Sequence, residues 1–331
     1  MSHFNAEAKK SIRSVWCKSL IRFLSEALQA KLTYLGLPSE HPEDIHEWIE
    51  YLDTVYAFQC RLYPEPSSDE QSRERVLELE SKLRTLERQN KLSTFTVFDG
   101  YLEEVILRGK DNNPQPIQFG HEQAITIYNL DFCNQIDSPR KIVVNGKTRT
   151  VFKFDVINEL LRYQSQVDQL PKKFLLFLTV HSDFNDESVM PLVIGKLKDY
   201  NLKLSQAKLK GKERKSRVLK AYIYEILRNA FEIYHFIPEF LPTIRYKGTG
   251  DQGMLFFTVI GTFLKPHPGG VLTLQKPEVF LNQSFLNVTD KQEFITTLLQ
   301  SFEETRPRAD AIEAFCKSQT YKKHWINKVS K

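Results

Sequence analysis

The sequence is poor in the residues that disulfide frameworks, fibrous repeats and membrane spans require. Its 331 residues include only four cysteines, at positions 17, 60, 133 and 316, and no CxxC or other paired spacing. This argues against a disulfide scaffold or a zinc ribbon and fits a reducing environment. Thirteen glycines and 15 prolines exclude collagen-like and low-complexity chains. No apolar run approaches the roughly 18–20 residues of a membrane span, and residues 1–10 lack the apolar core of a secretory signal. We therefore expect a cytoplasmic protein without a membrane partner.

The residues that are present describe a globular chain. Hydrophobic residues make up 41% and charged residues 26%, with a net charge of +5. This composition excludes a wholly disordered protein. His41 and His46 lie five residues apart and do not share a helical face, so the sequence predicts no metal site.

Short apolar or β-branched segments alternate with amphipathic ones along most of the chain. The predicted buried strands are Lys31–Gly36, Thr54–Gln59, Ser93–Phe98, Ile125–Asp131 and Phe174–Val180. The predicted helices are Asn5–Ala30, Pro42–Leu52, Ser67–Lys91, Asp155–Gln166, Ser216–Phe236, Asp290–Glu303 and Ala309–Val329. Strands that alternate with helices indicate a mainly parallel sheet with helices on both faces.

Three further segments resemble hairpins or extensions. Asn145-Gly146 separates two β-rich runs, as in a type I′ hairpin. Thr243–Lys247 and Met254–Phe263 predict an antiparallel hairpin near the end of the sheet, and Glu104–Arg108 a short extension or hairpin. The predicted fold class is an α/β, Rossmann-like sheet with a C-terminal β-hairpin. We predict an N-terminal helical extension over residues 1–30, an α/β domain over 31–270 and a C-terminal helical extension over 271–331.

Ligands of such sheets bind beyond the carboxyl ends of the central strands. The residues that close the predicted strands are Gly36, Gln59, Asp99 and Asp131. Asp131 is the strongest candidate for chemistry, because a carboxylate at the end of a buried strand is costly unless it is used or paired. Capping of a turn is an equally good account of it.

Parallel strands that finish in a β-hairpin resemble the class I S-adenosylmethionine-dependent methyltransferase fold, over about residues 31–263. The layout also has a distant similarity to the three-Cys-motif partner proteins of bacterial gene cassettes. The resemblance implies that Gly36, Gln59 and Asp99 line an S-adenosylmethionine site. It also implies that Asp131 and Asn134 position the methyl acceptor. The sequence departs from the family where Pro38 replaces a loop glycine and Gln59 a ribose-binding carboxylate.

A basic segment follows the fifth predicted strand. Between Lys203 and Lys220 there are eight lysines and arginines against one acidic residue, Glu213. This charge predicts phosphate binding without sequence readout, while a solvated surface loop explains it equally well. The predicted nucleic-acid-binding residues are Lys208, Lys210, Lys212, Arg214 and Lys215.

The sequence thus favours a methyltransferase-like protein that acts on or binds DNA or RNA within a multi-component bacterial system, with antiviral defence as a hypothesis for its role. The alternative is a catalytically inactive scaffold of the same fold that binds a protein partner. Binding of S-adenosylmethionine separates the two hypotheses.

Overall fold

A mixed sheet of nine strands organises the described residues of the chain. The computed structural model describes residues 7–59, 69–112, 124–132, 135–136, 138–144, 146–167, 173–182, 211–247, 253–263 and 285–287. The strands within them are β1 (Leu32–Gly36), β2 (Leu52–Gln59), β3 (Thr94–Tyr101), β4 (Ile127–Asp131), β5 (Arg140–Val144), β6 (Lys147–Val151), β7 (Lys173–His181), β8 (Phe236–Phe240), β9 (Ile244–Lys247), β10 (Gly253–Phe263) and β11 (Leu286–Asn287). The order across the sheet is β11-β9-β10-β7-β4-β1-β2-β3, and β8 also pairs with β10.

The central strands run parallel, as the sequence predicts. Neighbouring pairs are parallel throughout the series β3, β2, β1, β4 and β7. β10 then runs antiparallel to β7, β8 and β9. The α/β fold class and the late antiparallel hairpin are therefore confirmed. β5 and β6 form a separate antiparallel ribbon, at the hairpin that Asn145-Gly146 indicates.

Helices cover both faces of the sheet. They are α1 (Glu7–Ser11), a π-helical turn (Ile12–Cys17), α2 (Lys18–Leu28), α3 (Glu43–Trp48), a 3₁₀ turn (Ile49–Tyr51), α4 (Asp69–Arg88), α5 (Leu102–Arg108), α6 (Lys153–Gln166) and α7 (Gly211–Ile233). α1, the π-turn and α2 follow each other directly and are called the N-terminal helix below. It ends where Gln29 adopts a left-handed conformation.

Successive residues of the central strands pack alternately into two hydrophobic cores, one on each face of the sheet. Leu176 and Leu178 of β7 pack with α5, α6 and α7 on one face. Leu175 and Phe177 pack with the N-terminal helix, α3 and α4 on the other. This alternation is the period-two geometry of a strand that is covered on both sides.

Two predicted elements differ in the structure. The segment Glu104–Arg108 is not an extension or hairpin but part of α5, because Leu102, Val105 and Ile106 recur at helical spacing and are buried. The predicted third strand continues to Tyr101, two residues beyond Asp99.

The described part of the basic segment is not a surface loop. Its part from Gly211 onward is the start of α7, which ends three residues before Phe236. Lys220 is fully buried and its ammonium lies 4.6 Å from the centre of the Phe285 ring. β8 begins at Phe236, where the sequence predicts continued helix. The predicted helices Asp290–Glu303 and Ala309–Val329 lie outside the described residues.

Candidate functional site

The carboxyl ends of β1 and β4 meet at one edge of the sheet. Gly36, the last residue of β1, pairs with Asn129 of β4, and Asp131 follows two residues later at the end of β4. The structure thus brings Gly36 and Asp131 together, as the predicted site requires. Asp131 is buried, with 9% of its surface exposed.

The N-terminal helix reaches across this edge. The Lys9 ammonium donates a hydrogen bond to Asp131 Oδ2 and forms an ion pair with it. One turn later, the Arg13 guanidinium donates to Glu43 Oε2 at 2.6 Å. The backbone carbonyl of Arg13 accepts a bond from the Trp48 indole at 3.1 Å. The basic side of this helix is therefore not a simple solvated face, because Lys9 and Arg13 are docked on acidic residues.

Beneath these ion pairs lies a buried polar cluster of Tyr34, Asp44 and Asn129. The Tyr34 hydroxyl donates to Asp44 Oδ2 at 2.5 Å, and the Asn129 amide donates to the same oxygen at 2.7 Å. Burial raises the pKa of Tyr34 well above its ordinary value, and the Asp44 charge adds to the effect. The phenol therefore remains a donor, and two internal donors satisfy the Asp44 carboxylate.

Gly36 is needed here for internal packing. A Cβ atom at this position would overlap the Tyr34 hydroxyl and come within 2.9 Å of the Asn129 carbonyl oxygen. The face of β1 beside Gly36 is thus filled by the Tyr34 side chain.

What remains at this edge is a cavity of about 50 Å³. Its lining includes Lys9, Arg13, Pro38, Asp44 and Asp131. Small-molecule sites usually measure about 300–1,000 Å³, and Pro38 offers no backbone N–H to a ligand. The described residues that line this cavity therefore do not fit S-adenosylmethionine.

The charged side chains at this edge are paired with each other or with neutral protein donors. Two cations, Lys9 and Arg13, face three carboxylates, those of Glu43, Asp44 and Asp131. Every one of these carboxylates accepts a hydrogen bond from a protein donor. The arrangement stabilises a closed edge.

Of the other predicted site residues, Gln59 and Asp99 lie toward the same carboxyl edge, on β2 and β3, but they do not line this cavity. Gln59 ends β2, as predicted. Asp99 is in β3, three strands from β4 or about 14 Å across the sheet. Its backbone N–H and carbonyl bond to the Asp111–Asn112 turn. Asn134, Lys208 and Lys210 lie outside the described residues.

Lys212, Arg214 and Lys215 lie in the first two turns of α7. Among the described residues, no group of three or more His, Cys, Asp or Glu side chains could hold a metal ion. The described helices include none with the length and apolarity to cross a membrane.

Sequence reasoning missed the residues that close the edge. Lys9 and Arg13 are four apart and share a helical face, but their partners lie 122 and 30 residues away. Glu43 and Asp44 are recognisable only as acidic residues at a helix start, where the helix dipole favours them.

Comparison with protein-family models finds no match, and comparison with curated protein sequences finds none either. Among solved structures, the chain is similar to magnesium protoporphyrin IX methyltransferase (ChlM) from Synechocystis PCC 6803, solved with bound SAH. The identity is 12% and the TM-score 0.36, over 77% of this chain and 85% of that one. It is also similar to the small RNA methyltransferase HEN1, at 11% identity and a TM-score of 0.37, over 76% of this chain but only 25% of HEN1.

A further similarity is to the N-terminal domain of EvdMO1, solved in the presence of SAH and D-fucose. Here the identity is 10% and the TM-score 0.34, over 75% of this chain and 82% of that one. Similarities at this level carry no argument about activity. The parallel direction of the central strands and the antiparallel hairpin near the end of the chain are those expected from the sequence. The chain has a class I methyltransferase-like fold.

Proposed function

We propose that this protein is a methyltransferase-fold scaffold that binds nucleic acid and does not use S-adenosylmethionine at the carboxyl edge of its sheet. The observation that supports a scaffold without S-adenosylmethionine is the closure of that edge. The Lys9–Asp131 and Arg13–Glu43 ion pairs cross it, and the face of β1 beside Gly36 is filled. A binding role needs only the stable sheet and an accessible surface.

The proposed nucleic-acid partner rests on charge. Without the buried Lys220, the segment from Lys203 to Arg217 carries seven cations against one acidic residue. Its net charge of +6 exceeds the +5 of the whole chain, so the remaining residues are slightly acidic. A concentrated cationic segment attracts a phosphate backbone and releases counterions, whatever the base sequence. A role in a multi-component bacterial system would place this contact beside a protein partner.

The competing proposal is a methyltransferase in which Gly36, Gln59 and Asp99 hold S-adenosylmethionine and Asp131 and Asn134 position the acceptor. One observation favours it, namely the position of Gly36 and Asp131 on neighbouring strands at the same edge. It requires Lys9 to leave Asp131.

Calorimetric titration of the full chain with S-adenosylmethionine and with SAH decides between the two. We expect no binding heat and no thermal stabilisation by either compound. A ligand at 100 times its Kd would stabilise the protein by about 2.7 kcal/mol, which a melting curve detects easily. Saturable binding that Asp131→Asn weakens would refute the scaffold proposal.

A separate measurement tests the nucleic-acid partner. Charge reversal at Lys208, Lys210, Lys212, Arg214 and Lys215 should weaken binding to DNA or RNA. Each phosphate contact that is lost lowers the slope of log K against log salt by roughly 0.7–0.9. A wild-type protein that shows no salt-sensitive binding at low ionic strength would overturn this half of the proposal.

A further inference from the structure

The β5–β6 ribbon is a basic element that stands apart from the main sheet. Its 12 residues, from Arg140 to Val151, contain four cations and no acidic residue. Its two strands pair only with each other among the described parts of the chain. Neither edge of the ribbon is therefore paired with another described strand.

The root of the ribbon is fixed to the domain. The Arg140 guanidinium forms an ion pair with Glu104 of α5 and lies 4.3 Å from the centre of the Tyr101 ring. Ile142 and Val151 are buried, with 1% and 7% exposure. Arg140 is thus an anchor, and the ribbon has a defined orientation.

The other three cations of the ribbon are exposed. Lys141, Lys147 and Arg149 have no ion pair or side-chain hydrogen bond to any residue that the structure describes. Exposed arginines of α4 and α6 contrast with them, since Arg84 and Arg162 are paired with glutamates on the same helix. The ribbon thus presents three cations whose charges are not neutralised locally.

These cations lie on both faces of the ribbon. Residues directly opposite in an antiparallel pair share a face. Lys141 pairs with Thr150, so both are on one face, whereas Arg149 pairs with the buried Ile142 on the other. Lys147 pairs with Val144 and shares the face of Arg149.

Besides Lys141, this face of the ribbon carries apolar and threonine side chains. Val143, opposite Thr148, is 52% exposed, and Phe152, just past β6, is 41% exposed. These are two of the four large hydrophobic side chains that are exposed among the described residues. Threonine and phenylalanine are side chains that contact the thymine methyl group in the major groove.

We propose that the β5–β6 ribbon enters the major groove of duplex DNA. In this arrangement Lys141, Lys147 and Arg149 contact phosphates on both sides, and Val143 and Thr148 face the base edges. A two-stranded ribbon fits the major groove of B-DNA, which is about 12 Å wide, whereas the major groove of duplex RNA is too narrow to be read by side chains. This proposal rests on the nucleic-acid partner of the proposed function and assigns a second contact surface besides the Lys203–Lys220 segment.

The test compares a ribbon variant, Lys141→Ser/Lys147→Ser/Arg149→Ser, with a control, Lys31→Ser/Arg88→Ser/Lys91→Ser. The control removes three equally exposed cations at the opposite, amino-terminal edge of the sheet. Binding to duplex DNA, duplex RNA and single-stranded DNA is measured by fluorescence anisotropy at several salt concentrations. Circular dichroism verifies that both variants are folded.

We expect the ribbon variant to lower the salt slope for duplex DNA by about 2.7, from three contacts at about 0.9 each. Affinity at 0.1 M salt should fall by roughly 10²–10³-fold, while the control changes less than about threefold. Equal binding by the two variants would overturn the ribbon proposal and leave the proposed function standing. Preference for single strands or duplex RNA would refute the groove geometry. No binding by the wild-type protein would end both proposals.

Discussion

The ion pair between Lys9 and Asp131 offers the most direct test of the closed edge. Its side chains are 21% and 12% exposed. Exposed pairs contribute about 0.2–1 kcal/mol, whereas removal of one partner from a fully buried pair costs about 3–5 kcal/mol. The Lys9–Asp131 pair lies between these limits. We therefore expect Lys9→Met and Asp131→Asn each to lower the free energy of unfolding by about 2 kcal/mol.

The double variant should cost less than the sum of the single ones. Removal of both partners leaves no uncompensated charge, so we expect a coupling energy of about 1–2 kcal/mol. Urea unfolding, followed by circular dichroism, measures all four proteins. The Arg22–Glu26 pair is the matched control, because its side chains are 60% and 70% exposed and its coupling should stay below about 0.5 kcal/mol. A Lys9–Asp131 coupling no larger than that of the control would show that the edge is not closed by this contact.

Three further predictions follow from buried contacts. Gly36→Ala should destabilise the fold by about 1–3 kcal/mol through overpacking against Tyr34, and the double variant with Tyr34→Phe should cost less than the two changes added together, as urea midpoints will show. Trp16→Phe removes the indole donor to Thr258 Oγ1 at 2.9 Å and should cost about 1–3 kcal/mol, whereas pairing it with Thr258→Val should cost less than the two changes added together. Burial raises the pKa of Tyr34. The contribution of Tyr34 to stability should therefore be complete below about pH 10 and decline at higher pH. If the urea midpoint of Tyr34→Phe falls as steeply above pH 10 as that of the wild type, this reasoning fails.

The parallel strands are predictable because their sequences report burial on both faces. The run from Phe174 to Val180 is continuously apolar or β-branched, and every residue of it is buried between the two helical layers. The late hairpin is equally predictable from the sequence, since a glycine-rich turn separates Thr243–Lys247 from Met254–Phe263. Local sequence is enough for such elements.

Elements whose identity depends on tertiary contacts were not predictable in the same way. The α5 helix is only seven residues long, and its apolar positions also fit a short strand. Lys220 counts as a surface charge in any sequence reading, yet the fold buries it beside Phe285. The partners of Lys9 and Arg13 are set by the docking of the N-terminal helix, which no local pattern encodes.

The charges of the closed edge and of the ribbon indicate two independent surfaces. The edge combines Lys9 and Arg13 with three carboxylates, so its net charge is −1 and it does not attract phosphate. The ribbon carries Lys141, Lys147 and Arg149 without a local counter-charge, and Arg140 holds its root against α5. Charges act on a phosphate backbone over roughly a Debye length of 8–10 Å, so the net charge within that distance decides where nucleic acid is attracted. Nucleic acid should therefore be attracted to the ribbon and not to the edge. A protein built in this way can bind nucleic acid without opening the space in which the methyltransferase resemblance places a cofactor.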